Sequence, residues 1–558
     1  MSALSVVVHT VAAKAALLAM LAVTHSPVLD RRDTYPKNPD IDALNYAFRI
    51  ELSDSSDAIA GELTLDVRFL AATVPALRLD LVNRSPALAG KGMTVAAVTV
   101  DGTAVPFTHA DDELRIPLPS SLRPQQRARV VVQYAGTPSL GLHIGRNKHG
   151  DRTFFSDNWP NRARHWLPTI DHPYDKATNE FIVTAPSHYQ VVSNGLQVES
   201  TDLPGARRRT HWRNSVPIAP WLYVLGVARF AVQQVDRFDG KTIETWVYAQ
   251  DRDAGFFDFA EPTKSVLAFY SDYVGPFAYE RLANIQSNSV SGGMEAASAI
   301  LYHESSVTGT RSERWRNVVI HEIAHQWFGN AVTERDWDDV WLSEGFATYF
   351  TLLYIEHAYG RDEFLRGLSS SQRTVEQFAA KNPGYTIVHR NLSRMEDVTS
   401  SHTYQKGSWV LHMLRGVVGD DAFQRGIRAY YLAHFNGNAT TADFRRAMEE
   451  ASGRNLGAFF EQWLYQPGNL QVEGSWRYNA TAKVVEIALE QTQTDGSLFN
   501  MPIEVAVRLP GQPAPDVHRL ELTAKRHTFT LPASSAPDDL QLDPNHWVLM
   551  KSRFERRR

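Results

Sequence analysis

Two histidines four residues apart, His321 and His325, inside a largely apolar run constrain this chain more than any other feature. On a helix that spacing puts both imidazoles on one face, one turn apart. Two neutral imidazoles so placed suit a tetrahedral Zn²⁺, and Glu322 beside them suits a general base. A catalytic metal needs a third protein ligand and one position left open to water. Glu344, after eighteen intervening residues, is the candidate. Trp315, Val318, Val319, Ile320, Ile323, Ala324, Trp327 and Phe328 are the apolar flanks of a buried helix. Three ionisable groups in such surroundings are costly unless a cation compensates them. Thr310-Arg311-Ser312-Glu313 reads as a capping box at the helix start, and Gly329-Asn330 as its stop. The competing reading is a chance match in a structural helix. The third carboxylate and the tryptophan-rich connector before it argue against that.

A chain of 558 residues suits about three to four domains. Hydrophobic residues at 43% and charged residues at 21% describe an ordinary folded protein. The net charge of −5 and the lack of a long basic run argue against nucleic-acid binding. With no cysteine, disulfides are excluded and any zinc must be held through nitrogen and oxygen. Lys14 precedes the apolar run Ala15 to Val23, about the length of a signal-peptide core and too short to span a bilayer. Residues 1–29 are expected to be a signal peptide or a disordered extension, which favours a periplasmic or secreted protein over a cytoplasmic one. No other stretch suits a membrane helix. Oligomeric state is not legible.

From about Tyr35 the pattern alternates with period two: Tyr46, Phe48, Ile50, Leu52; Leu63, Leu65, Val67, Phe69; Leu77, Leu79, Leu81. That predicts an N-terminal antiparallel β domain over 30–233. Helical spacing with short strands follows over 234–467, including helices at Glu261 to Tyr273 and Glu344 to Tyr359. Strand alternation returns at Val485, Ile487, Leu489 and Ile503, Val505, Val507, Leu509, predicting a β-sandwich over 468–550. Residues 551–558 read as a short solvated basic tail. The fold class is therefore α+β and multidomain.

HEIAHQWFGNAVT followed by WLSEGFATYF resembles the zinc aminopeptidase N family, which includes leukotriene hydrolase. Ser343 stands where asparagine is more usual. The resemblance runs from about residue 34 to 550. It implies a thermolysin-like α/β catalytic domain with His321, His325 and Glu344 holding one zinc and Glu322 as general base. SGGMEA, Ser291 to Ala296, is similar to the family's Gly-x-Met-Glu-Asn exopeptidase motif, with Ala296 replacing the usual asparagine. By that likeness Gly292, Gly293, Met294 and Glu295 line the substrate, and Glu295 binds its free α-ammonium. A glycine pair would let backbone approach the substrate closely. TYQKGSWVLHML resembles the family's Tyr-x-Lys-Gly segment, which makes Tyr404 the donor to the developing oxyanion. Asn161 to Val183 is similar to a family segment near the cleft. Just upstream, Asp157 or Asn158 stands in place of a glutamine that helps hold the amine. Asp338 and Asp339 are candidates to support the ligand histidines. Larger members carry a C-terminal helical domain over the site, and this chain is expected to lack one and to have a more open cleft. The implied activity is zinc-dependent removal of the first residue from peptides with a free N-terminus. The alternatives are another zinc hydrolase activity on the same site, as an endopeptidase or epoxide hydrolase, or a non-catalytic binding protein.

Overall fold

The computed structural model describes residues 33–118, 123–389 and 394–557. The region read as a leader lies outside them. Among the described residues no helix is long and apolar enough to cross a membrane.

The N-terminal part is built on an eight-stranded sheet around Ile41–Glu51. That strand alternates buried Tyr46, Phe48 and Ile50 with more exposed partners, as period two requires. It pairs antiparallel with Ile59–Phe69. The sheet is not wholly antiparallel, however: Ile41–Glu51 also runs parallel to Ala177–Pro186. Alternation reports burial of a face and carries no information on strand direction. The long chain between the two strands leaves ample room for the crossover that parallel pairing needs.

The sheet that supports the site has five strands, in the order Phe230–Phe238, Lys241–Tyr248, Arg281–Ser287, Ala299–His303 and Gly293–Met294. Arg281–Ser287 is buried along its whole length, as a strand covered on both faces must be. Gly293–Met294 is the short outer strand, paired only to Ala299–His303. Four helices complete the cleft: α1 (Glu313–His325), α2 (Trp341–Tyr359), α3 (Arg361–Lys381) and α4 (Gly407–Val418). Of these, α2 buries fourteen residues, Trp341 to Ala347 and Tyr349 to Ile355, and so forms the floor. It stops at Gly360, whose φ of 95° only glycine adopts readily.

The helix start read as a capping box is not one. No side-chain bond closes at Ser312. The preceding turn is held instead by Asp258, whose carboxylate accepts the backbone N–H groups of Gly309 and Arg311, each at 2.7 Å. Glu313 then sits at the first helical position, where the helix dipole favours an acid.

Beyond Leu470 the chain forms a four-stranded and a three-stranded sheet. Val485, Ile487 and Leu489 of one and Ile503, Val505 and Val507 of the other are buried. The C-terminus differs from expectation. Met550–Arg556 is a strand, parallel to Leu470–Asn479, not a solvated tail. Its backbone completes the edge of the sheet while its basic side chains stay in water. Phe554 packs over Gly474, where any side chain would meet its ring at 2.7 Å.

Candidate active site

His321 and His325 sit one turn apart on α1, and Glu344 projects from the first turn of α2. Their donor atoms converge. The two imidazole Nε2 atoms are 3.1 Å apart, and Glu344 Oε2 lies 3.2 Å from His325 Nε2 and 3.5 Å from His321 Nε2. A tetrahedral ion bound at about 2.0–2.1 Å holds its ligand atoms about 3.3–3.4 Å from one another, so the three atoms already have the spacing of a zinc seat. Glu344 Oε2 is buried without a hydrogen-bond donor. Such a carboxylate oxygen requires a cation. Charge points the same way. Burial lowers the proton affinity of both histidines, yet the carboxylates Glu295 and Glu344 drive His325 up to about 10. A field strong enough to protonate a buried imidazole is one a dication satisfies in the proton's place.

The residues that aim these ligands are only partly those expected. His325 Nδ1 is met by the carbonyl of Phe328 at 3.1 Å and the hydroxyl of Ser343 at 3.0 Å. Ser343, the residue that departs from the usual asparagine, therefore orients a ligand. Asp338 and Asp339 do other work: Asp338 accepts the Asp33 backbone N–H and Asp339 the Thr441 hydroxyl. Gly329, at φ 106°, lies over Ser343, and a side chain there would come within 2.2 Å of the Ser343 hydroxyl.

Glu322 is buried and lies against the outer strand: a Cβ at Gly293 would sit 2.2 Å from its Oε1. Gly293 thus makes room for the neighbouring carboxylate, whereas Gly292 faces open space. Met294 is buried beneath the strand and pairs with Leu301. Burial, then the negative Glu295, push the Glu322 carboxyl well above the ordinary range. Glu295 is 5% exposed and its Oε1 lacks a hydrogen-bond partner, 3.9 Å from His325 Nδ1. Burial raises it to about 7. Its backbone carbonyl accepts from Asn330 Nδ2 at 2.6 Å and Gln326 Nε2 at 3.0 Å. These two side chains, from the turn after α1, tie down the segment in which Ala296 replaces an asparagine. Sequence reasoning missed both, since nothing in their spacing marks them. Lys176, from the N-terminal part, donates to the carbonyls of Asn330 and Ala331 at 2.9 and 3.0 Å and so holds the same turn.

Tyr404 lies in a π-helical turn, His402–Lys406, ahead of α4, and its phenol donates to Glu344 Oε1 at 2.6 Å. Burial, then Glu344, raise its pKa well above 10, so it remains a donor. The turn is brought to α2 by a glycine contact: a Cβ on Gly345 would meet the Gly407 Cα and Thr403 carbonyl at 3.1 Å. Of the two upstream candidates, Asn158 is buried and engaged at both amide atoms, donating to the Tyr223 carbonyl and accepting from Trp166. Asp157 pairs with Arg162 at 2.7 Å and adds to the negative field at Glu295.

This fold and ligand set define the metallopeptidase class in which two histidines of one helix and a glutamate of the next seat the metal. The chain belongs to peptidase family M1: residues 259–463 match the Peptidase family M1 domain and residues 43–222 the Peptidase M1 N-terminal domain. Aminopeptidase N of Streptomyces lividans is 29% identical over 71% of this chain and 48% of that protein. Glutamyl aminopeptidase of Mus musculus is 28% identical over 63% of this chain and 39% of that protein. The chain spans less than half the length of these curated relatives. An M1 zinc metallopeptidase from Deinococcus radiodurans shares the fold, with a TM-score of 0.64, 24% identity and coverage of 76% of this chain and 94% of that one.

Proposed function

We propose that this protein is a zinc aminopeptidase that removes the first residue from peptides with a free N-terminus. The observation that carries this reading is Glu295, a buried carboxylate with an unpartnered oxygen beside the metal seat. An anion so placed demands a cation, and a substrate ammonium supplies one without disturbing the protein.

His321, His325 and Glu344 would hold the zinc, which when bound supplies Lewis acidity to the scissile carbonyl and to a water. Glu322 takes the proton of that water and passes it to the leaving amine. Its raised pKa suits both halves of the shuttle. Tyr404 turns its phenol from Glu344 to the developing oxyanion. The substrate backbone lies along the free edge of Gly293–Met294, in the manner of an added strand. Glu295, with Asp157 as second anion in preference to Asn158, holds the ammonium and so places cleavage after the first residue.

A panel of aminoacyl fluorogenic anilides, run with and without a chelator, tests the reading. Hydrolysis should require metal and a free amine. N-acetylation of the substrate should abolish it. An endopeptidase would cut the acetylated peptide as well as the free one, and that result removes Glu295 from its role.

A further inference from the structure

The cleft that holds His321, Glu322 and Tyr404 extends along α3 as a groove, about 870 Å³ in all. Its floor is α2 and its walls are α1 and α3. Because α3 runs back along α2, Gly367 packs on Leu352, which brings Arg373 level with the helical turn next to Glu344. Arg366, Ser370 and Arg373 follow at i, i+4 and i+7 and are the exposed face of α3 toward the groove. Arg316 faces them from α1, about 7.5 Å of helix rise from His321.

These guanidiniums are not equally engaged. Arg316 has Glu313 at 3.7 Å, and Arg366 has Glu363 at 2.6 Å. Arg373, which lines the same groove as Tyr404, has no carboxylate at ion-pair distance among the described residues. The groove is therefore polarised. Its metal end is lined by Glu322, with the buried Glu295 beside it, and its α3 wall carries Arg366 paired with Glu363 and Arg373 with no such partner among the described residues. A short peptide is polarised in the complementary sense, ammonium first and carboxylate last. An extended chain advances about 3.3–3.6 Å per residue. With the ammonium at Glu295, the carboxylate of a peptide about two to four residues long thus falls within the arginine-lined stretch. The planar guanidinium is the side chain best matched to a carboxylate.

We propose that the α3 wall binds the free C-terminal carboxylate of short peptides, with Arg373 as the principal cation and Arg366 next along. The preferred substrates are then di- to tetrapeptides with both ends free. Longer or C-terminally blocked peptides still enter the open groove but lose this contact. The proposal rests on the aminopeptidase reading for the position of the ammonium.

The test compares a tripeptide acid with its C-terminal amide on the metal-loaded protein. Amidation should raise KM about threefold to tenfold with little change in kcat, as expected for a solvent-exposed charge-assisted contact. R373Q should erase that difference while leaving hydrolysis of an aminoacyl anilide, which has no carboxylate, unchanged. R373K should keep part of the difference. R366Q should affect the tetrapeptide more than the tripeptide. Calorimetric binding of acid and amide to E322Q protein reads the same contact without turnover. Equal affinity for the two, or discrimination that survives in R373Q, overturns the arginine assignment. Preference for the acid together with no hydrolysis of any free-amine substrate by wild type would leave the arginine wall standing and remove the aminopeptidase reading instead.

Discussion

In the proposed mechanism Glu322 carries the proton from the water to the leaving amine, and its carboxylate also lies against the outer strand. It is buried and packed on the Gly293 backbone. Glutamine preserves that packing and removes the proton acceptor. Glu322→Gln should therefore retain about one zinc per chain, measured by elemental analysis, and lose on the order of 10³-fold or more in kcat. Activity within tenfold of wild type would take the residue out of the proton shuttle. Ser343 acts one bond further out, through the Nδ1 atom of His325. Ser343→Ala leaves the Phe328 carbonyl as the one group at hydrogen-bond distance from that nitrogen among the described residues. Zinc affinity, measured by competition with a chromophoric chelator, should fall by about 10-fold to 100-fold, the usual range for loss of a ligand's supporting hydrogen bond. Unchanged affinity would mean that the carbonyl alone orients the ring. None of this supporting set was readable from residue types. His321, His325 and Glu344, whose donor atoms converge, could be expected together because helical periodicity and ligand chemistry act on near neighbours. Gln326 and Asn330 reach Glu295 across about thirty positions of chain, and no local period reports a contact of that kind.

At the scale of elements, the site depends on how closely α2 and the turn before α4 approach. Gly345 and Gly407 face each other there with backbone on both sides, and neither partner can yield as a flexible side chain would. The same crossing sets the distance between Glu344, which adjoins Gly345, and Tyr404, one turn before Gly407. Gly345→Ala should force the helices apart. Overpacking of this kind destabilises by about 1–3 kcal/mol, read as a lowered urea midpoint. It should also reduce kcat by more than Tyr404→Phe alone, because Glu344 and Tyr404, the proposed metal ligand and oxyanion donor, move together. A variant as active as wild type would show that the crossing has slack. The elements themselves were largely predictable. The helix over Glu344 to Tyr359 and its glycine stop follow from an apolar run ended by a residue able to take positive φ. The capping box is absent because a Thr-x-x-Glu pattern also fits a turn whose N–H groups are claimed by a distant carboxylate, here Asp258. The C-terminal strand was misread because an edge strand exposes its side chains and so reads as polar tail; its parallel partner lies some eighty positions earlier in the chain.

Across the whole molecule, Lys176 ties the N-terminal part to the catalytic part, and beside it Asp175 is buried within the N-terminal part itself. Lys176 holds the turn after α1, and its neighbour Asp175 accepts the Ala43 backbone N–H at 3.4 Å and is otherwise buried. Burial raises the Asp175 carboxyl from 3.8 to about 7. The folded state thus binds a proton that the unfolded chain has released across that interval. Stability from this group is complete below about pH 4 and is lost as pH rises to about 7. Each unit in that window is worth at most about 1.4 kcal/mol. Asp175→Asn carries no such dependence, so its stability relative to wild type should improve between pH 4 and pH 8 in chemical denaturation. A difference that stays constant with pH would mean that Asp175 remains ionised when folded. What the residues alone determined was everything that local physics can carry. Ligand spacing on a helix, alternation in the strands and the absence of thiolate ligands follow from covalent periodicity and side-chain chemistry. Tertiary structure decided which groups complete the site: Ser343 behind His325, Gln326 and Asn330 behind Glu295, the glycine crossing under Tyr404, and the polarity of the groove. Those contacts join residues far apart in the chain. Their energies come from burial and charge complementarity that exist only once the helices and the five-stranded sheet have packed.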